Sequence, residues 1–151
     1  MPGYVAVANL VHTYAERIDA GDFAGVADLF ANAEITTEGG GPVRSGRAQV
    51  LAMYEATTRR YGNGTPLTRH VTTNLIVEAD DEAGSASCRS SYMVIQGVKG
   101  HPLQPIIVGR YHDRFARVDR VWRFAHRHIL VDLLGDLSRH LLFDLPPSVG
   151  T

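Results

Sequence analysis

The sequence predicts an α+β domain in which a strongly curved antiparallel sheet wraps around N-terminal helices. Two features carry this. Apolar residues recur at helical spacing up to about residue 61, and from Thr68 onward the period changes to two. Helices therefore precede a strand meander instead of alternating with strands, which separates α+β from doubly wound α/β. A length of 151 residues, 44% of them apolar, fits one domain over 1–151 that can bury a core without disulfides or structural metal.

From Tyr4 to Ala20, the residues Val7, Leu10, Val11, Tyr14 and Ile18 form the stripe of an amphipathic helix, which Gly21 stops. Asp22 stands where an N-cap belongs for a short second helix with Phe23, Val26, Ala27, Leu29 and Phe30 on its apolar side. Ala33 to Glu38 reads as a strand. Gly39-Gly40-Gly41-Pro42 is a loop, because three glycines and a proline destabilise helix and strand interiors alike. Ser45 is placed to cap a third helix, from Gly46 to about Tyr61, whose apolar face holds Val50, Leu51 and Tyr54 with Ala48 and Thr58; Gly62-Asn63-Gly64 closes it.

The strand that begins at Thr68 sets Val71, Thr73, Leu75 and Val77 against His70, Thr72, Asn74 and Ile76, and the turn Asp80-Asp81-Glu82-Ala83-Gly84 leads to a second strand, Ser85 to Gln96. Gly97 to Pro105 is a loop. Strands Ile106 to Arg117 and Val121 to Asp132 follow, joined near Val118-Asp119. With the turn centred there, Phe115 opposes Trp122, Asp113 opposes Phe124 and Tyr111 opposes His126 on one aromatic-rich face. That face points inward, with Gly109 leaving room beneath it. Asp136 is placed to cap a last short helix through Leu142, and residues 146–151 form a tail.

A sheet that carries all its long helices on one side curls around them, so its concave side becomes a pocket. Asp113 on that face is costly to bury without a partner. On the other face, Arg110, Arg114 and Arg117 stand opposite Arg123 and Arg127 as a like-charge ladder. Two expectations follow: a β-bulge in the last strand turns Arg127 inward to Asp113, and the convex face, with Arg110, Arg114 and Arg123, pairs with a second copy in a homodimer.

Several function classes are excluded by composition. Near-neutral charge, 15 basic against 16 acidic residues, argues against nucleic-acid binding. No run reaches the roughly 18 apolar residues of a membrane span, and the start Met1-Pro2-Gly3-Tyr4 lacks the pattern of a signal peptide, so a cytoplasmic location is expected. The lone Cys88, between Ala86 and Arg89 in a strand, reads as a small sheet residue. His126 and His128 share a face as zinc ligands do, with His101, His112 and His140 elsewhere, but no third ligand stands at a recognisable spacing; no metal is expected. Gly39-Gly40-Gly41 lacks the lysine and hydroxyl that a phosphate loop would supply.

What remains is acid–base chemistry. Asp19 lies at a helix C-terminus, where the macrodipole disfavours a negative charge and a compensating group is needed. His70 opens the first long strand, and a carboxylate behind one of its ring nitrogens would fix its tautomer. Tyr14, five residues before Asp19, projects about 140° away from it on an ideal helix, so the two flank one edge. Asp19, His70 and Tyr14 are the catalytic candidates. Tyr54 beside Met53 and Tyr92 beside Met93 read first as core. As members of the inferred pocket, Tyr54, Asn74, Tyr92, Tyr111, Asp113 and Arg127 are the candidates for substrate contact, and the ligand expected is an apolar small molecule.

Taken together, Tyr14-Ala15-Glu16-Arg17-Ile18-Asp19-Ala20-Gly21-Asp22, Leu29-Phe30, Gly46-Arg47, Arg69-His70-Val71 with Asn74, Gly109-Arg110-Tyr111-His112-Asp113-Arg114 and Trp122-Arg123-Phe124 with Arg127 resemble, in order and spacing, the SnoaL-like branch of the NTF2-like superfamily. The resemblance covers nearly the whole chain and implies the cone-shaped, cystatin-like α+β roll. Asp19 and His70 look like the aspartate and histidine of scytalone dehydratase and bile-acid 7α-dehydratase. Tyr14, and Tyr111 with Asp113, are similar to further residues of the bile-acid enzyme. The chain departs from both at Ser91-Tyr92-Met93-Val94, where those enzymes carry another histidine or aspartate, and Gly109 and Tyr111 replace a serine and an asparagine of the scytalone site. The implied activity is proton transfer without a cofactor: dehydration, isomerisation or aldol-type cyclisation of a polyketide, steroid or terpenoid. Two other readings stay open, a non-catalytic binding or assembly module whose pocket is filled by packed side chains, and an epoxide hydrolase or cyclase with Asp113 as its second carboxylate.

Overall fold

In a computed structural model, which describes residues 1–145, the chain forms three helices and an open six-stranded sheet. The helices are α1 (Gly3–Asp19), α2 (Phe23–Leu29) and α3 (Gly46–Thr57); the strands are β1 (Glu34–Thr37), β2 (Arg44–Ser45), β3 (Thr68–Asp80), β4 (Ser85–Gln96), β5 (Gln104–Val118) and β6 (Val121–Leu134). Their order in the sheet is β2-β1-β6-β5-β4-β3. Among the described residues no helix is long and apolar enough to cross a membrane.

The apolar stripe of α1 is buried as its spacing requires: Val7, Val11, Tyr14 and Ile18 pack on the sheet. Pro2 supplies no side-chain cap, so the first turn takes one from outside, the Asp81 carboxylate in the β3–β4 turn accepting from the Gly3 N–H at 2.9 Å. At the other end Gly21 turns left-handed (φ +73°), and a Cβ there would stand 2.0 Å from the Gly64 carbonyl oxygen, so only glycine lets α1 end against this loop. Asp22 caps α2 through the Gly25 N–H.

Several expectations need correction. The sheet is mixed, because β1 runs parallel to β6, Glu34 standing beside His126. The two-residue strand β2 has no periodicity to reveal it. Ser45 precedes α3 without a side-chain cap; its own N–H donates to Gln49. That helix stops at Thr57, not Tyr61, because Thr58 leaves in extended conformation to bridge Leu141. Among the described residues after Gly135 there is no helix: Asp136 accepts from Ser138 and closes only a turn. The proposed tail, 146–151, lies outside the described residues.

Register also differs between β5 and β6. The turn is Asp119-Arg120, both left-handed at φ +51° and +66°, so Phe115 pairs with Phe124 and Arg117 with Trp122. A register shift between Arg114 and Phe115 then places Asp113 opposite Arg127 and sends both inward, as the electrostatic argument requires. His126 is displaced to the other face, where it and His128 both reach the Thr36 hydroxyl. On that face Arg110 is already matched by Asp132, through two hydrogen bonds of 2.9 Å, which reduces the uncompensated ladder to Arg114 and Arg123.

Candidate active site

Three stretches far apart in sequence meet at one end of the sheet: the last turn of α1, the first residues of β3, and the segment after β6. Asp19 ends α1 and faces His70 on β3. One carboxylate oxygen accepts from His70 Nδ1 at 2.6 Å and from the Thr68 hydroxyl at 2.9 Å; the other accepts from the His70 backbone N–H at 2.7 Å. These donors offset the helix dipole that disfavours a charge there. Because Nδ1–H is committed to Asp19, the neutral ring presents Nε2 as a proton acceptor. Both side chains are close to buried, His70 at 8% and Asp19 at 12% exposure.

His70 lines an apolar cavity of about 440 Å³ between the helices and the concave face of the sheet. Tyr14, Tyr54, Tyr92 and Tyr111 also line it, so all four tyrosines named from the sequence belong to this wall. The Tyr14 ring meets His70 edge to face at 6.1 Å and Tyr111 at 5.9 Å. Its hydroxyl lies 2.7 Å from that of Tyr54, so one O–H of the pair bonds the other and the second is left to donate elsewhere. The Tyr92 hydroxyl is committed to the Leu130 carbonyl, and its ring stacks on Tyr111 at 4.3 Å. Burial raises the pKa of Tyr54, Tyr92 and Tyr111 alike, which keeps them as phenols.

Three of the substrate-contact candidates are not on this wall. Asn74 is exposed at a bulge of β3, where its φ of +56° and a register shift after Thr73 break the alternation that would have turned it inward. Asp113 and Arg127 lie beneath the wall, at 2% and 0% exposure, bonded only to each other among the described polar side chains. The guanidinium sits 3.8 Å from the Tyr111 ring centroid and 4.3 Å from that of Tyr14. Burial alone would lower its pKa; Asp113, bonded twice, outweighs that and holds it above the ordinary value. The pair therefore supports two tyrosines and does not touch a guest.

One residue was missed. His140, in the turn after Leu137, lines the same cavity as His70. Burial, and then the like charge of His70, lower its pKa to about 4. Nothing in the sequence around Arg139-His140-Leu141 marks it, because the segment has no regular structure and its place is set by tertiary contacts.

The remaining groups do other work or none. Cys88 is 1% exposed, and burial with Asp113 nearby pushes its thiol up to about 11, which keeps it inert. Among the described residues no three His, Cys, Asp or Glu side chains gather as a metal would need. A larger hollow of about 680 Å³ opens between the start of α1 and the β5–β6 turn, lined by Met1, Leu10, Arg117 and Trp122, away from Asp19 and His70.

Comparison with known proteins agrees with this architecture. Residues 3–128 match the SnoaL-like domain family. Rv3472 of Mycobacterium tuberculosis, a protein of unknown function solved as a single-substitution variant, superimposes with a TM-score of 0.71 at 26% identity, over 87% of this chain and 72% of that one. An NTF2-like protein with a cystatin-like fold from Novosphingobium aromaticivorans gives 0.69 at 20% identity, over 85% and 80%. A scytalone dehydratase-like protein from the same organism gives 0.70 at 22% identity, over 88% and 86%. No curated protein matches the chain.

Proposed function

The chain belongs to the SnoaL-like domain family, and on that premise we propose that it is a proton-transfer enzyme needing no cofactor, a dehydratase, isomerase or aldol-type cyclase acting on an apolar oxygenated small molecule such as a polyketide, steroid or terpenoid. One observation carries the reading: a histidine with its Nδ1 held by a carboxylate stands on the wall of an open, apolar, tyrosine-lined cavity. In the step that all three reactions share, His70 Nε2 takes a proton from a carbon next to a carbonyl. The C–H electron pair becomes the enolate double bond, and charge develops on the oxygen, where a phenol O–H of the Tyr14–Tyr54 pair or of Tyr111 can meet it. For dehydration the enolate expels a β-hydroxyl, which takes the imidazolium proton and leaves as water, returning His70 to neutral. For isomerisation the proton returns to a different carbon. In an aldol closure the enolate carbon attacks a second carbonyl, and the new alkoxide takes the proton.

The epoxide-opening alternative loses its second carboxylate, since both oxygens of Asp113 are held by Arg127. A binding module with a filled pocket also fits poorly with an open cavity. The test is a thermal-shift screen of hydroxylated polyketide-like and steroid-like compounds, with each hit incubated and its products weighed for loss of 18 Da or for rearrangement at constant mass. The reading expects turnover by the wild type that His70→Ala abolishes. A hit bound equally by both proteins and altered by neither would make this a carrier or sensor.

A further inference from the structure

We propose that His140 is a second catalytic residue of this cavity, a neutral imidazole whose Nε2–H donates to the substrate oxygen that becomes negatively charged when His70 removes a proton. The inference rests on the proton-transfer reading and names a donor for the carbonyl oxygen, which leaves a phenol free for the departing hydroxyl. Dehydration involves a carbonyl oxygen that gathers charge and a hydroxyl that departs. The phenols can serve one of these, and the strand bearing Tyr92 offers no acid or base for the other.

The tautomer follows from hydrogen bonding. His140 Nδ1 is shielded from water and has no partner. Were it protonated, an N–H would be buried with no acceptor; an unmet lone pair is the cheaper state, so the proton resides on Nε2. Nε2 is not among the shielded, unpartnered atoms, and the side chain lines the cavity, so Nε2–H is the donor open to a guest. A neutral imidazole donor adds no charge to an apolar pocket and leaves His70 the only base there.

The ring is also held in place, although its segment has no helix or strand. The His140 N–H donates to Leu137, its carbonyl accepts from the Arg59 N–H at 2.8 Å, and Leu142 N–H donates to Thr57. The neighbouring Arg139 carbonyl accepts from the Tyr61 hydroxyl and from Gln96 Nε2. The end of α3 and the end of β4 thus clamp the turn, and the donor is aimed before a guest arrives. Of the charged groups around it, His70 on β3 disfavours its protonation more than Asp19 on α1, already occupied by His70 and Thr68, favours it; Arg59 bonds the Leu141 carbonyl, and Arg139 bonds Asp136.

The experiment uses the full chain labelled with ¹⁵N-histidine, as wild type, His140→Gln and His140→Leu, in long-range ¹H–¹⁵N correlation spectra from pH 4 to 8, with 2-naphthol as a planar apolar probe bearing one oxygen. The signal lost in both variants identifies His140. It is expected as the Nε2–H form, uncharged at pH 6, and 2-naphthol should shift it. Binding should weaken about tenfold in His140→Leu and stay within about threefold of wild type in His140→Gln, whose amide nitrogen can place a donor near the Nε2 position. A spacer role predicts no such rescue. An Nδ1–H tautomer, protonation between pH 6 and 7, or equal affinity in wild type and His140→Leu would overturn the proposal. Failure of the parent reading looks different: 2-naphthol then leaves both His70 and His140 unmoved in the wild type, and this inference falls with it.

Discussion

Asp113→Asn is the most direct probe of what holds the cavity wall in place. Arg127 has no exposed surface, both carboxylate oxygens of Asp113 accept from it at 2.8 Å, and a guanidinium does not escape by losing its proton. Removing the carboxylate leaves a buried charge with one neutral acceptor where it had two ionised ones, and breaking such a pair costs about 3–5 kcal/mol. For a chain of this length each kcal/mol lowers Tm by roughly 2–4 °C, so a fall of about 6–20 °C is expected. Deleting both partners tells more. In Asp113→Leu/Arg127→Met no charge is stranded, and what is lost is the packing of the guanidinium between the Tyr14 and Tyr111 rings, on the order of 1–2 kcal/mol. The double variant should therefore be more stable than either single one. Trp122, the only tryptophan and 7% exposed, reports unfolding in urea without a label. A single variant that loses less than about 1 kcal/mol, or a double variant that loses the sum of the two singles, would refute the reasoning.

Other expectations are as direct. On a substrate found by the screen, His70→Ala should cut kcat about 10²–10⁴-fold and Asp19→Asn by a smaller factor, measured by product formation, with both proteins folded by circular dichroism. Gly109→Ala should destabilise by about 3 kcal/mol or more in a urea titration, because its Cβ would meet the Leu130 carbonyl oxygen at 2.0 Å and the Tyr92 hydroxyl at 2.5 Å. A free histidine takes a proton below about pH 6.5, whereas burial and His70 hold His140 unprotonated in the fold down to about pH 4, so the native state binds fewer protons in that window. Its contribution is complete above about pH 6.5 and falls by up to about 3 kcal/mol as pH drops through 4; His140→Leu should flatten that slope in urea titrations at pH 4.5 and 7. Sedimentation velocity at micromolar concentration should show a dimer; a 16.5 kDa species alone would remove that expectation.

What was legible in the sequence was local or energetic. The stripe of α1, the Asp22 cap and the period of β3 to β5 follow from residue type and spacing. The Asp19–His70 contact followed from a charge at a helix end that needs a partner, together with a family resemblance, and the inward turn of Arg127 from the cost of burying Asp113 alone. Tertiary effects were not legible. The parallel pairing of Glu34 beside His126 joins residues far apart in the chain, with no local trace. The Asp119-Arg120 turn adopts two left-handed residues without a glycine, so its centre was misplaced by one position and the register moved with it. Asn74 shows the same failure inside a strand: alternation predicts a face only until a bulge intervenes.

The miss at His140 has a physical cause with consequences for specificity. The family match ends at residue 128, and the cavity does not. Beyond that point Ile129, Val131, Leu134, Leu137, Leu141, Phe143 and Leu145 all line the cavity, so much of its apolar wall comes from residues outside the matched stretch. His140 is the single polar side chain among them. On the proposed reading, the base and its supporting carboxylate lie within the family-matched stretch, whereas much of the apolar wall, and His140, lie beyond it. Exchanging residues 129–145 for those of a relative should therefore change which compound is accepted more than whether a proton can be moved, because Asp19, Thr68 and His70 hold one another without any residue of that segment.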